Sequence, residues 1–376
     1  GISFNVALWL GVWSLGIVGS IYAIFGGLKA VAISDTVNAI GLLIGGLMIP
    51  VLGLMMIGDG NVWTGIDTLY ESVPDKFVSI GGPESYVPFS TIFTGMMLVQ
   101  LFYWGTNQAI IQRALAAKNL REGQKGLLLA AFIKILGPII VVLPGIIAFY
   151  FFGDSLEIPD QAYPMLVNKV LPPAFVGFFV AVLFGAIISS FNSALNSSVT
   201  LFGIDIYQEY MNPEASERQI VKKGKIFGIF LAILSMFIAP FIANAPSGLF
   251  GYLQEVNGAY SIPILTIITV GYLTKYVPAI AAKISIISGS ALYIISQFVL
   301  KPYVFDGENY PHYLHIMAIL FVFNVLLMLI IGAVYPRSLP YKLPVRGVVN
   351  MTPFRYLIPV ALGITGLVIY VYYVFA

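Results

Sequence analysis

The sequence predicts an all-α integral membrane protein with about ten transmembrane helices, and three observations predict it. Hydrophobic residues make up 59% of the 376 residues, charged residues only 10%, and the mean hydropathy is +0.92. A soluble domain carries about 25% charged residues and could not cover its surface with so few. The apolar residues fall into ten runs, most longer than the ~20 residues that cross a bilayer as a helix. None of the runs alternates polar with apolar over about ten residues, as barrel strands do.

Taken in order, the runs are 3–25, 31–57, 89–112, 127–153, 173–206, 224–243, 248–273, 279–300, 313–335 and 356–376. The two longest loops, 58–88 and 154–172, carry Gly, Pro and acidic residues and are expected to fold over one face. With the N-terminus of this chain outside, the inside loops hold Lys29, Arg113, Lys118, Arg121 and Lys125, then Arg218, Lys222, Lys223 and Lys225. Lys275, Lys283, Arg337, Lys342, Arg346 and Arg355 complete that set, against Lys76, Lys169 and Lys301 outside. The excess of Lys and Arg on one side sets the orientation. An even number of spans then puts both ends outside, in a multi-pass protein of the plasma membrane. The outside loops are acidic, with Asp59, Asp67, Glu71, Asp75 and Glu84 in one and Asp154, Glu157 and Asp160 in another.

Composition narrows the chemistry. The absence of cysteine removes disulfides, thiolate metal sites and cysteine nucleophiles. His312 and His315, the two histidines, lie near the start of an apolar run and read as interfacial side chains. A net charge of +2 points to no charged partner, nucleic acid included. With no metal cluster and no nucleophile paired with a base, an enzyme is not expected. Oligomeric state is left open.

Polar residues inside the apolar runs are the informative ones. Lys134 stands about seven positions into the fourth run, where a lysine costs several kcal/mol unless it snorkels or finds partners. It reads either as a snorkelling interfacial residue or as a donor lining a polar cavity. Ala186, Ser189, Ser190 and Ser193 share one helix face at i, i+3, i+4 and i+7, continued by Asn196, Ser197 and Thr200. Small residues permit close helix packing, and hydroxyl and carbonyl oxygens are also the ligands a hard cation prefers. Gln100–Gln108 places amides, aromatics and a glycine at mid-membrane depth. It reads as a polar helix face or as an interrupted helix whose freed backbone groups line a water-filled site. Rings beside amides suit a sugar. Gln254 and Glu255, with Asn257, lie near the outer end of a span, and Asp35 sits at the start of the second run, where a carboxylate suits a helix start. Asp205 has the same interfacial explanation.

These stretches together resemble the sodium:solute symporter family, most closely its bacterial sodium/galactose symporters. The likeness rests on Tyr22–Asp35, on Tyr103–Gln108 followed by Gln112–Lys118, and on Ala131–Lys134 leading to Leu143–Gly145. It continues through Ala186–Ser190, Asp205–Tyr210 and Tyr252–Glu255. The resemblance implies a LeuT-type fold of two inverted five-helix repeats and alternating access driven by co-transported sodium. On that pattern residues 1–57 are the last two helices of repeat one, 89–275 repeat two and 279–376 peripheral helices, within one transporter domain. Family members carry about four more helices before the point where this chain begins. The resemblance also implies that the Ala186 carbonyl, Ser189 and Ser190 hold sodium, and that Gln100, Tyr103, Lys134 and Gln254 contact a sugar. Gln100 stands where galactose-transporting relatives have an asparagine. Asp35 and Ser193 match a possible second sodium site, at which position 192, often a hydroxyl residue, is Asn192. A non-sugar solute, such as an amino acid, vitamin or polyol, is the nearest alternative, and a symporter-like sensor a more distant one.

Overall fold

The computed structural model describes residues 3–83, 85, 87–156, 159–242, 248–305, 310–342 and 349–375. Glu84, Glu157 and Arg346, counted above among the loop charges, lie outside the described residues. In chain order the helices are α1 (Phe4–Ile57), α2 (Val62–Ser72), α3 (Gly95–Gly105), α4 (Gln108–Leu115), α5 (Leu120–Lys134), α6 (Leu143–Phe152) and α7 (Ala162–Val170). They continue with α8 (Pro173–Leu201), α9 (Glu217–Ile242), α10 (Gly248–Leu273), α11 (Ala279–Ile295), the single turn α12 (Lys301–Tyr303), α13 (Tyr313–Val334) and α14 (Leu357–Val374). Among the described residues nine helical segments are long and apolar enough to cross a membrane, and each overlaps one of nine of the ten runs, four of them extending three to seven residues beyond it. The exception is 89–112. It divides into a 3₁₀ turn (Phe89–Phe93), α3 and α4, with the helix broken at Thr106 and Asn107. Asn107 caps α4 by accepting from the Ala109 N–H (2.9 Å). No piece of this run reaches full spanning length as one helix.

Contacts divide the chain into two compact units. The first comprises residues 1–78, 126–249 and 359–368. No extended segment interrupts α1 between Phe4 and Ile57, yet it supplies two spans, Asn5–Ile24 and Ala32–Ile57. Neighbours show that these arms run in opposite directions. A Cβ on Gly19 would touch Phe191, and Ile24 packs with Leu195, so the first arm runs parallel to α8. Asp35 meets Ser189, Asn38 meets Gly185, and a Cβ on Gly45 would touch Phe179, so the second arm runs antiparallel to it. A straight helix would separate positions 19 and 35 by about 24 Å, whereas both abut neighbouring turns of α8. The chain therefore reverses between the arms. Trp13 against Phe237 (4.9 Å) and Trp9 against Phe241 (6.1 Å) align the first arm antiparallel to α9. The second arm packs with α2, α6, α7 and α8 around buried Ile49, Leu69, Ile147, Leu166 and Phe179.

The second unit comprises residues 79–125, 250–358 and 369–376. Its core joins α10, α11 and α13 through Ile262, Tyr293, Leu314 and Met317, with Met96, Leu98 and Val99 of α3 packed against them. Gly95 is required by a close approach, because a Cβ there would lie 2.0 Å from the Leu314 carbonyl oxygen. The imidazole of His315 fastens the same place, its Nδ1 2.9 Å from the Thr94 hydroxyl and its Nε2 3.2 Å from that of Ser90. His312 caps α13, accepting from the Leu314 N–H. Both histidines thus have structural partners. Many large apolar side chains on the spans face outward, as on Ile33, Val37 and Ile40 of α1. A bilayer is the medium such a surface requires.

Candidate functional site

The small polar stripe lies in the first unit, where α8 meets the second arm of α1. The Ser189 hydroxyl donates to Asp35 Oδ1. One residue on, the Ser190 hydroxyl donates to the Ala186 carbonyl (3.0 Å), and one turn further the Ser193 hydroxyl donates to the Ser189 carbonyl (2.7 Å). The contact between the two helices is thus that of Ser189 with Asp35, while the Ser190 and Ser193 hydroxyls each bond back one turn along α8, to the Ala186 and Ser189 carbonyls.

Two further amide side chains stand between α1 and α8. Asn38 donates from Nδ2 to the Gly185 carbonyl (3.1 Å), tying the arm to α8 one turn from Asp35. Sequence reasoning passed over it, although Asp35 and Asn38 at i and i+3 share a face of an otherwise apolar run. Asn192 is buried against Gly19, and its Oδ1 has no hydrogen-bond partner among the described residues. A buried carbonyl oxygen left unpaired costs about 1–3 kcal/mol, which a water or a cation would relieve. Along α8 beyond Ser193 a cavity of about 250 Å³ opens, lined by Asn196 and Thr200, with Lys225 among its walls.

Lys134 also belongs to the first unit. It is the last residue of α5 and is exposed. The next two amides bond three residues back, to Phe132 and Ile133 (3.1 and 3.0 Å), and a π-helical segment follows over Pro138–Val142. Proline has no N–H, so Pro138 cannot donate to the Lys134 carbonyl in the usual helical pattern. The span Leu120–Phe152 is therefore irregular where its lysine stands.

Gln100, Tyr103 and Gln254 lie in the second unit. Gln100 accepts from Trp104 Nε1 (3.1 Å), and the ring of Tyr103 meets that of Trp104 edge-on at 5.3 Å. These three side chains precede the break at Thr106, and Tyr103 is 42% exposed. Gln254 is half-buried on α10, and Tyr260 of that helix packs edge-on against Phe102 of α3 (5.9 Å). Beside Gln254, Glu255 pairs with Lys301 (3.0 Å), and its carbonyl accepts from the Tyr293 hydroxyl (2.8 Å). The helix end carrying Gln254 is thereby held to the end of α11.

The family model of the sodium:solute symporter family matches residues 1–289. The chain belongs to this family. Over 371 residues it is 46% identical to the uncharacterized symporter YidK of Escherichia coli (strain K12), covering 99% of this chain and 64% of that protein. It is 32% identical to the sodium/glucose cotransporter of Vibrio parahaemolyticus, over 78% of this chain and 58% of that one. The chain thus spans about three fifths of the length of these relatives. A solved structure of a Na+-coupled sialic acid symporter, substrate-bound and outward-open, superposes with a TM-score of 0.71 over 91% of this chain and 69% of that one. At 19% identity this likeness concerns the fold alone. The all-α, LeuT-type class expected from the sequence agrees with it. The protein is a multi-pass membrane protein of a family of transporters, not of enzymes.

Proposed function

We propose that this protein is a sodium-coupled secondary active symporter that imports a monosaccharide, such as galactose or glucose, by alternating access. The observation that carries the reading is the bond between Asp35 and Ser189, on the face of α8 that also carries the Ala186, Ser190 and Ser193 oxygens. Neutral oxygens hold a sodium ion weakly enough for it to leave again, and here one carboxylate joins them. In the first site the Ala186 carbonyl, Ser189 and Ser190 are the ligands. In the second, Asp35, Ser189 and Ser193 hold another ion, and the unpaired Asn192 oxygen supports an amide ligand in place of a hydroxyl. The cavity beside Asn196 and Thr200 supports release toward that end of α8. By family resemblance, Lys134, Gln100 and Gln254 stand at sugar-contacting positions and Tyr103 at that of the stacking aromatic. The protein lies in the plasma membrane with its basic loops inside and both ends of this chain outside. Residues 1–57 close the first repeat and 89–275 form the second.

Each sodium ion moving inward through 100 mV supplies about 2.3 kcal/mol. That amounts to nearly two orders of magnitude in solute ratio, and a second ion doubles the energy. Paired sodium and sugar fluxes in liposomes are therefore expected to give two ions per sugar, falling to one in Asp35→Asn. A ratio of one in both proteins would leave Asp35 as a helix-start residue and remove the second site. A polyol fits the same donors and remains the nearest alternative solute.

A further inference from the structure

A cavity of about 340 Å³ in the second unit lies apart from every residue assigned above. It opens where the C-terminal ends of α10 and α13 meet the start of α11. Ile267, Val277, Ala282 and Met328 give it an apolar lining, and the first three of these pack against the buried core of Val270, Ala281 and Met328. Arg337 and Tyr341 line it from the segment that follows α13. That segment is fixed rather than draped. The Arg337 N–H donates to the Tyr276 carbonyl (2.9 Å), the Tyr341 N–H donates to the Lys275 carbonyl (2.8 Å), and the guanidinium lies 5.4 Å from the Tyr341 ring.

The charge around this cavity has one sign. Lys275, Arg337 and Lys342 stand on the short segments beside it and Lys283 near the start of α11, and residues 256–305 and 309–376 contain no Asp or Glu. Tyr272 and Tyr276 are exposed at the same level, as aromatic residues at a membrane interface are. An excess of Lys and Arg is expected on an inside face and alone identifies no site. Here it coincides with an apolar groove between helix ends, and an arginine whose backbone and ring contacts fix its place stands at that groove. Arginine presents a planar fork that matches phosphate oxygens, and basic pockets between transmembrane helices on the cytoplasmic side suit anionic headgroups.

We propose that this groove binds an anionic phospholipid. One acyl chain lies over Ile267, Ala282 and Met328, and the headgroup phosphate bonds to Arg337, with Lys275 and Lys342 adding attraction. The test uses the full-length protein in neutral detergent, titrated with phosphatidylglycerol, phosphatidylcholine or inorganic phosphate. Bound lipid is counted by native mass spectrometry. The expected result is a preference of about tenfold for phosphatidylglycerol over phosphatidylcholine, with inorganic phosphate unable to compete. Arg337→Gln should abolish that preference, and Arg337→Lys should keep part of it. Lys342→Gln, which removes the same charge, should leave most of it. Gly271→Leu offers a second route that spares the arginine. Gly271 lines the groove, and a Cβ there meets nothing within 4 Å, so the larger side chain can occupy the space without disturbing the backbone. It should lower binding of both lipids. Equal losses in Arg337→Gln and Lys342→Gln would reduce the effect to general surface charge and overturn the proposal. So would unchanged lipid binding in Gly271→Leu, or full competition by inorganic phosphate, which would mark a simple anion site.

Discussion

Ser189→Ala is expected to raise the sodium concentration for half-maximal uptake by roughly ten- to a hundredfold. Its hydroxyl bonds Asp35 and stands on the helix face that also carries the Ala186 and Ser190 oxygens. Hydrogen bonds to charged groups contribute about 1.5–3 kcal/mol, and each 1.4 kcal/mol is a factor of ten. The substitution removes one oxygen and adds no bulk, so the packing of α8 against α1 should survive. Thermal stability within a few degrees of the parent protein, together with a shifted sodium dependence, is the expected pair of results. An unchanged sodium dependence would reduce the serine face to a device for close helix packing.

Lys134→Ala is expected to lower sugar transport more than tenfold while leaving folding intact. Lys134 is exposed at the end of α5, where the helix gives way to the Pro138 segment, so its side chain is not part of a packed core. An ammonium that hydrogen-bonds sugar hydroxyls loses its donors in alanine, and a charge-assisted bond is roughly twice as strong as a neutral one. Initial rates across a range of sugar concentrations distinguish a lost contact, which raises the half-saturating concentration, from misfolding, which lowers the amount of active protein. Normal transport by Lys134→Ala would identify a lysine that merely snorkels to the interface.

Much of the fold was legible because a bilayer imposes a simple pattern on sequence. Continuous apolar length marked every span in order, and Gly105 and Asn107 amid aromatics marked the run that breaks at Thr106. The reversal of α1 was legible only as a gap between two runs. Its consequence, Asp35 against Ser189, joins residues 154 positions apart that no local periodicity connects. The candidate ion ligands were found through the helical spacing of Ala186, Ser189, Ser190 and Ser193 and through family resemblance. Asn38 escaped because its partner is a backbone carbonyl, that of Gly185, which no side-chain pattern announces. The irregular backbone after Lys134 is legible in Pro138, whose missing N–H leaves the Lys134 carbonyl without its usual helical donor. His315 reads as an interfacial residue from its place alone. Its bonds to Ser90 and Thr94 appear only once α3 and α13 are packed at Gly95.

The central claim is that a sodium gradient drives uptake of a sugar. Its most direct test is accumulation of a labelled sugar panel by the full-length protein in liposomes, with sodium outside and either sodium or choline inside. Galactose or glucose should concentrate inside only under the inward sodium gradient, and collapsing that gradient should release it. Uptake of the sugars that is indifferent to sodium, or sodium-driven uptake of an amino acid or vitamin with none of the sugars, would contradict the account.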